Sequence, residues 1–204
     1  MLCGCDEAGR GPVIGPMVVA VVCGDQEVMR KIGVRDSKKL TQFRRENLNR
    51  LILEKAESVN VKIVSEKEID DATKRNELNL LEAKVMASMF VKGNSYIVDC
   101  PDVNEARFAE LLSRMTGIDD IISRHKADVN FPMVSAASIV AKVRREEEIN
   151  KIKEEIGEFG SGYPSDSRTI DFLRTYFSVN KKFPPHVRQS WKTLDRINST
   201  LSDY

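Results

Sequence analysis

The chain alternates short β-branched apolar runs with longer segments of helical periodicity. Residues 2–6 and 13–23 are nearly continuous in apolar character, the second reading Val-Ile-Gly-Pro-Met-Val-Val-Ala-Val-Val-Cys, as expected of central strands covered on both faces. They flank a glycine-rich stretch and are predicted to pair as a hairpin. Residues 59–65 alternate, 95–100 form a short buried run, and 118–125 supply a fifth strand. Helical spacing falls at 41–57, where Thr41 is placed to cap and Leu48, Leu51, Ile52 and Ala56 share a face, and again at 77–91 and 103–116. A long helix is predicted over 133–156. Its first half, Ser135 to Ala141, is small and apolar enough to pack closely on a sheet, and its second half, Arg144-Arg145-Glu146-Glu147-Glu148, is read as charged and solvent-facing.

This order of elements predicts an α/β layer fold with a five-stranded sheet. Gly157, Gly160 and Gly162 end the long helix, and beyond them only helical patterns remain, at 166–178 and 186–199 on either side of Pro184-Pro185. The chain therefore divides into a main domain at 1–160, a helical C-terminal part at 161–197 and a short tail at 198–204.

Length and composition fit that division. At 204 residues, 41% hydrophobic and 31% charged, the chain has an ordinary globular balance, with no low-complexity tract or fixed-period repeat. Lys plus Arg (32) nearly cancel Asp plus Glu (31), so a net charge of +1 excludes recognition of a polyanion by global attraction. Local basic groups must hold it, and Lys38, Lys39, Arg44, Arg45, Lys181, Lys182, Arg188 and Lys192 are the candidates. Cys3, Cys5, Cys23 and Cys100 show no metal-binding spacing and are read as free thiols packed as small hydrophobes. No secretory leader or membrane-length apolar run is visible, which predicts a cytoplasmic protein, and the lack of an exposed apolar stripe favours a monomer.

The chemistry gathers in Asp6-Glu7-Ala8-Gly9-Arg10-Gly11-Pro12. Adjacent carboxylates suit a hard divalent cation that takes its remaining ligands from water and substrate phosphates, and glycines allow backbone N–H groups to approach a ligand closely. By itself the stretch also allows a second reading, a strand ending in a solvated turn. Asp99 closes the apolar run Tyr96-Ile97-Val98, where an unpaired charge is costly, and Asp128 follows the fifth strand. The four carboxylates Asp6, Glu7, Asp99 and Asp128 are expected to converge on two cations roughly 4 Å apart, an arrangement that serves in-line displacement at phosphorus. Neighbours in a regular strand point to opposite faces, so the strand is expected to bend or end at Ala8-Gly9. His125 and His186 are read as structural groups.

In this ordered set the chain resembles ribonuclease HII, the type 2 ribonuclease H family, in its short archaeal form. Besides the Asp6–Pro12 stretch, the resemblance rests on Asp36-Ser37-Lys38-Lys39-Leu40, Asp99-Cys100-Pro101-Asp102, His125-Lys126-Ala127-Asp128, Ala136 to Lys142 and Gly160-Ser161-Gly162-Tyr163-Pro164-Ser165-Asp166. It implies an RNase H-like mixed sheet flanked by helices with a helical C-terminal part. It also implies endonucleolytic cleavage of RNA in RNA/DNA hybrids and at ribonucleotides embedded in duplex DNA, leaving 3′-hydroxyl and 5′-phosphate ends, in ribonucleotide excision and primer removal. The family's four acids match Asp6, Glu7, Asp99 and Asp128, acting with Mg²⁺ or Mn²⁺. Its Gly-Arg-Gly loop, which contacts the 2′-hydroxyl, matches Gly9, Arg10 and Gly11, and its tyrosine matches Tyr163.

Lys38, Lys39, Arg44, Arg188 and Lys192 are then expected to contact phosphates. The tail resembles a degenerate sliding-clamp (PCNA) box, with Leu201 and Tyr204 in place and Asn198 where a glutamine is usual. The sequence leaves two other readings open. One is a non-catalytic hybrid-binding module, and the other is a DNA nuclease of the same superfamily fold.

Overall fold

The first two strands, β1 (Leu2–Ala8) and β2 (Met17–Gly24), form the predicted antiparallel hairpin, in register from Leu2 opposite Gly24 to Ala8 opposite Val18. β3 (Ser58–Val64) pairs antiparallel with the far edge of β2, while β4 (Ser95–Asp99) and β5 (Ile121–Arg124) add parallel strands beyond β1. The result is a five-stranded mixed sheet in the order β3-β2-β1-β4-β5. This is a computed structural model describing residues 1–34 and 40–202, with side chains to Asn198. Lys38, Lys39 and Tyr204, and the side chain of Leu201, lie outside the described residues.

Side-chain alternation builds a core on each face of the sheet. On one face Cys5, Val19 and Val21 pack against α4 (Leu78–Ala87) and α5 (Glu105–Thr116) through Met86, Phe108 and Leu112. On the other, Val18, Ala20 and Val22 meet α1 (Gln26–Ile32), α2 (Gln42–Lys55) and α7 (Pro132–Ile156). Each fully buried aliphatic side chain of this kind contributes about 1.5–3 kcal/mol. The first turn of α7 lies so close to β1 that a Cβ on Gly4 would collide with the backbone of Met133 and Val134. Small residues from Ser135 to Ala141 keep that contact along the helix, as its composition predicts.

A third core joins Val13 and Ile14 to Ile149, Ile152 and Phe159, and to Leu173, Val187, Leu194 and Ile197 of the C-terminal part, whose helices are α8 (Ser167–Asn180) and α9 (Lys192–Ser202). Its position corrects one expected strand. Residues 13–16 are apolar because they lie beneath these C-terminal residues, not because they continue β2. Gly15 takes φ +90° and bonds the carbonyl of His186 at 2.9 Å, Val13 bonds Gly162 at 2.8 Å, and Ile14 bridges to Val187.

Further differences have local causes. The expected helix start at residue 186 moves to Lys192, because Val187 bridges to Ile14, residues 189–190 form a turn, and the Asp70 carboxylate takes the N–H groups of Gln189 and Ser190 at 2.7 and 2.9 Å. Three short helices were not expected: α1, α3 (Glu66–Lys74) and α6 (Ala127–Asn130). The first is capped by Asp25 and ended by Gly33 at φ +86°, and the second carries a full capping box between Ser65 and Glu68. Thr41 caps α2 as expected.

The four cysteines are not all free. Cys3 and Cys23 are direct partners in the β1–β2 register, 4.0 Å apart at Cα, and form a disulfide, leaving Cys5 and Cys100 as buried thiols. Spacing in sequence could not reveal that pairing, because it depends on the hairpin register. No helix among the described residues is long and apolar enough to cross a membrane.

Candidate functional site

The site lies where β1 and β4 part. Parallel pairing between them ends at Cys5 opposite Val98, while β1 stays paired with β2 through Ala8. Asp6 and Glu7 therefore project at the mouth of a crevice at the carboxyl ends of two parallel strands, with Asp99 closing the other lip. Topology puts ligand sites at such places in open α/β sheets.

The strand ends where expected, at Ala8-Gly9, with Gly9 at φ +91°. β1 remains regular through Ala8, and the two side chains do diverge: Asp6 faces α7, near Ser138 and Lys142, and Glu7 faces Glu82 and Arg10. What unites them is the splayed strand end, which leaves both beside Asp99.

Electrostatics records that proximity. Burial and the Asp99 carboxylate push Asp6 up to about 7, against the opposing effects of Ser138, the Glu7 N–H (2.7 Å) and Lys142. Burial also raises Glu7 well above the usual carboxylate range, with Asp6, Glu82 and Asp99 adding to the shift and Arg10 opposing it. Asp99 accepts the N–H of Ala127 at 2.6 Å, which places the buried Asp128 one residue further along α6. Lys126 begins that turn at φ +55°. The structure thus brings Asp6, Glu7 and Asp99 together and ties the Asp128 segment directly to Asp99.

This donor set suits a hard divalent cation. Glu7 Oε2 is buried without a hydrogen-bond partner, and the mutual repulsion of Asp6, Glu7 and Asp99 is what a cation would relieve. Among the described residues no group of three or more acidic, histidine or cysteine side chains is placed to hold a metal ion by itself, so water and substrate oxygens would have to complete the shell. An open, oxygen-only donor set matches the habit of Mg²⁺, which keeps waters and takes further ligands from phosphates.

A cleft of about 580 Å³ runs from Glu7 along the glycine loop to Tyr163, between α2 and α7. Gly9 sits at φ +91°, and a Cβ there would strike the Arg145 side chain and come within 2.7 Å of the Pro16 carbonyl. Gly11 lies across from Tyr163, to which a Cβ would come no closer than 3.8 Å. The Tyr163 ring is partly exposed and receives the Arg145 guanidinium at 5.4 Å.

Two arginines depart from expectation. Arg188 is fully buried and is not a phosphate contact. It donates to the carbonyls of Gly9 (2.5 Å), Arg10 (2.7 Å) and Gly15 (2.8 and 2.9 Å) and stacks on Trp191, whose indole N–H donates to the Gly11 carbonyl at 3.1 Å. Burial and the neighbouring Arg145 push its pKa down to about 10. Arg145, expected in solvent, is instead 8% exposed and lines the cleft, with Nε and Nη2 buried and lacking hydrogen-bond partners. Helical periodicity alone did not separate it from Arg144. Arg44 is exposed on α2, beside the cleft residues Gln42 and Arg45, and Lys192 is exposed at the start of α9. His125 donates to the Asp102 carbonyl at 2.7 Å, and His186 pairs with Glu155 at 3.0 Å.

The sheet order and the acid cluster at its splayed edge define a nuclease of the ribonuclease H class. The family model for ribonuclease HII matches residues 3–194, and the chain belongs to that family. It is 46% identical to ribonuclease HII of Pyrococcus furiosus, over 97% of this chain and 91% of that protein. It is also 46% identical to ribonuclease HII of Pyrobaculum islandicum, over 98% of this chain and all of the other. A solved PCNA:RNase HII complex from Archaeoglobus fulgidus superposes with a TM-score of 0.91 at 42% identity, covering both chains completely. Bst-RNase HIII in complex with Mn²⁺ shares the fold, with a TM-score of 0.80 at 18% identity over 70% of that chain. The protein is accordingly a ribonuclease H that cleaves the RNA strand of RNA/DNA hybrids.

Proposed function

We propose that the enzyme also cuts 5′ to single ribonucleotides embedded in duplex DNA, leaving 3′-hydroxyl and 5′-phosphate ends, and that it serves ribonucleotide excision and removal of RNA primers. The observation that carries this reading is the meeting of Asp6, Glu7 and Asp99 at the parted ends of β1 and β4, beside a rigid glycine loop. Asp6, Glu7, Asp99 and Asp128 would hold two Mg²⁺ or Mn²⁺ ions. When bound, these supply charge neutralisation at the attacking and leaving oxygens of an in-line displacement.

The remaining roles fall to the chain's own residues. Gly9, Arg10 and Gly11 read the 2′-hydroxyl, the group that separates RNA from DNA at one position, through their backbone. Tyr163, across the cleft from Gly11, lays its ring on the adjoining sugar and favours deoxyribose there. Arg145 lines the cleft and adds positive charge to it, and Arg44, Lys38, Lys39 and Lys192 serve as phosphate contacts.

Cleavage of an end-labelled duplex carrying one ribonucleotide, with product ends mapped by phosphatase sensitivity, tests this reading. A single Mg²⁺-dependent cut on the 5′ side with a phosphatase-sensitive 5′ end is expected. Cutting of an all-DNA duplex as well would favour a general nuclease, and binding without cutting a recognition module.

A sliding clamp is proposed as partner through Leu201 and Tyr204, supported by the likeness to the Archaeoglobus fulgidus protein solved with PCNA. Deleting 198–204 should abolish clamp binding and leave cleavage of short duplexes intact; undiminished clamp binding would rule the tail out.

A further inference from the structure

Glu82 lies on α4, outside the set of acids assigned above, and is completely buried. A buried carboxylate is retained at a cost unless it is paired, and its partner here is Arg10, the central residue of the glycine loop. Arg10 donates from Nη1 to Glu82 Oε2 and from Nη2 to Asn79 Oδ1 at 2.7 Å. Asn79 passes the chain on through Nδ2 to Asp102 Oδ2 at 2.9 Å, and Asp102 Oδ1 accepts the Asn104 N–H at 2.9 Å. Asp102 lies three residues beyond Asp99 on the segment leaving β4. The Arg10 carbonyl is meanwhile held by Arg188. Arg10 is thus fixed at both ends, and its guanidinium is committed to α4.

We propose that Glu82 is a positioning residue which, through Arg10, fixes the glycine loop relative to the carboxylate site and leaves substrate reading to the loop's backbone rather than to the arginine head. The inference rests on the proposed reading of the loop as the ribonucleotide-recognising element. Its mechanism is pre-organisation: a loop that must otherwise be ordered on binding loses affinity and discrimination, while groups anchored on β1 and β4 keep their chemistry. Burial raises the Glu82 pKa and Arg10 counters it, as expected of a carboxylate whose main polar partner is that guanidinium.

The test measures binding of fluorescent duplexes in EDTA, one with a single ribonucleotide and one all-DNA, to the intact protein and to Glu82→Gln, Glu82→Ala, Arg10→Ala and the Arg10→Ala/Glu82→Ala double variant. Glu82→Ala should reduce the preference for the ribonucleotide duplex by about tenfold, and Glu82→Gln, which keeps an acceptor for Arg10, by no more than about threefold. The double variant should lose no more than Arg10→Ala, because one residue acts through the other. Mn²⁺ affinity without nucleic acid should stay within about threefold.

Additive losses in the double variant, or an unchanged preference in Glu82→Ala, would overturn the proposal. So would loss of Mn²⁺ binding in both Glu82 variants, which would make Glu82 a metal ligand. If Glu82→Ala fails to fold, Arg10→Ala/Glu82→Gln set against its two single variants makes the same comparison. Equal binding of the two duplexes by the unaltered protein would defeat the reading of the loop as a ribonucleotide sensor. Coupling of Arg10 and Glu82 in overall duplex affinity would then still uphold the positioning role.

Discussion

Arg188 donates to the carbonyl oxygen of Gly9 at 2.5 Å from 179 residues away in sequence. With the second bond, to the Arg10 carbonyl, it turns two successive carbonyls of the glycine loop onto one buried guanidinium. The peptides are trans, so the N–H groups of Arg10 and Gly11 point away from Arg188. The C-terminal part thereby shapes the loop that lines the cleft.

Arg188→Ala leaves the carbonyls of Gly9, Arg10 and Gly15 buried without this donor, at about 1–3 kcal/mol for each group left unsatisfied. The expected loss is on the order of 3 kcal/mol, or roughly 10 °C in Tm for a chain of this size. Differential scanning calorimetry measures it. A surface phosphate contact at this position would leave Tm nearly unchanged.

Asp6 makes stability depend on pH. Its folded pKa of about 7 lies above the ordinary 3.8, so the folded state binds the proton more tightly. The corresponding stability is fully present below the unfolded value and is lost as pH rises to about 7. Metal-free protein should accordingly weaken between about pH 4 and 7 by an amount on the order of 4 kcal/mol, and Asp6→Asn should flatten that slope. Urea titrations across the range give the answer, and identical slopes in both proteins would contradict it.

Gly9 and Gly11 should respond differently to alanine. At Gly9, φ +91° and the clash with Arg145 and Pro16 oppose any side chain, so Gly9→Ala should lower stability by about 2 kcal/mol or more and distort the cleft. At Gly11 the nearest atom is Tyr163 Cε1 at 3.8 Å, so Gly11→Ala should keep stability within about 0.5 kcal/mol. Its effect should appear in ribonucleotide discrimination. Parallel Tm and cleavage measurements on the two variants separate these outcomes.

The Cys3–Cys23 link closes a hairpin with a sequence separation of 20 residues. Its removal by Cys3→Ser should cost about 3 kcal/mol by the chain-entropy relation. Thiol counting in denaturant without reductant should find the two free cysteines, Cys5 and Cys100. Four reactive thiols would show that the link does not form.

Much of this fold is legible in sequence because local signals agree with tertiary ones. The apolar start of β1, the β-branched run of β2, the Thr41 cap and the small residues of α7 each point to the element observed. The proximity of Asp6, Glu7 and Asp99 was legible because β1 and β4 each carry carboxylates near their predicted ends. The short helices α1 and α3 had readable caps in Asp25 and in the Ser65–Glu68 box, but their lengths of 7 and 9 residues give weak periodicity.

Long-range pairing stayed hidden. Nothing near Arg188 in sequence distinguishes an arginine facing phosphate from one facing three carbonyls, and Val13-Ile14 reads as strand whether it pairs with β3 or lies under Val187. The same holds for Arg145, Glu82 and the Cys3–Cys23 pair, whose partners lie on other elements.

The acids at the parted ends of β1 and β4 are proposed to carry ribonucleotide-directed cleavage. Single-turnover cutting of a one-ribonucleotide duplex and its all-DNA counterpart with Mn²⁺, by the unaltered protein and by Asp99→Asn, tests it most directly. Cleavage is expected only 5′ to the ribonucleotide, slowed by about a hundredfold or more in Asp99→Asn with Tm within a few degrees. Undiminished cleavage by Asp99→Asn would contradict it.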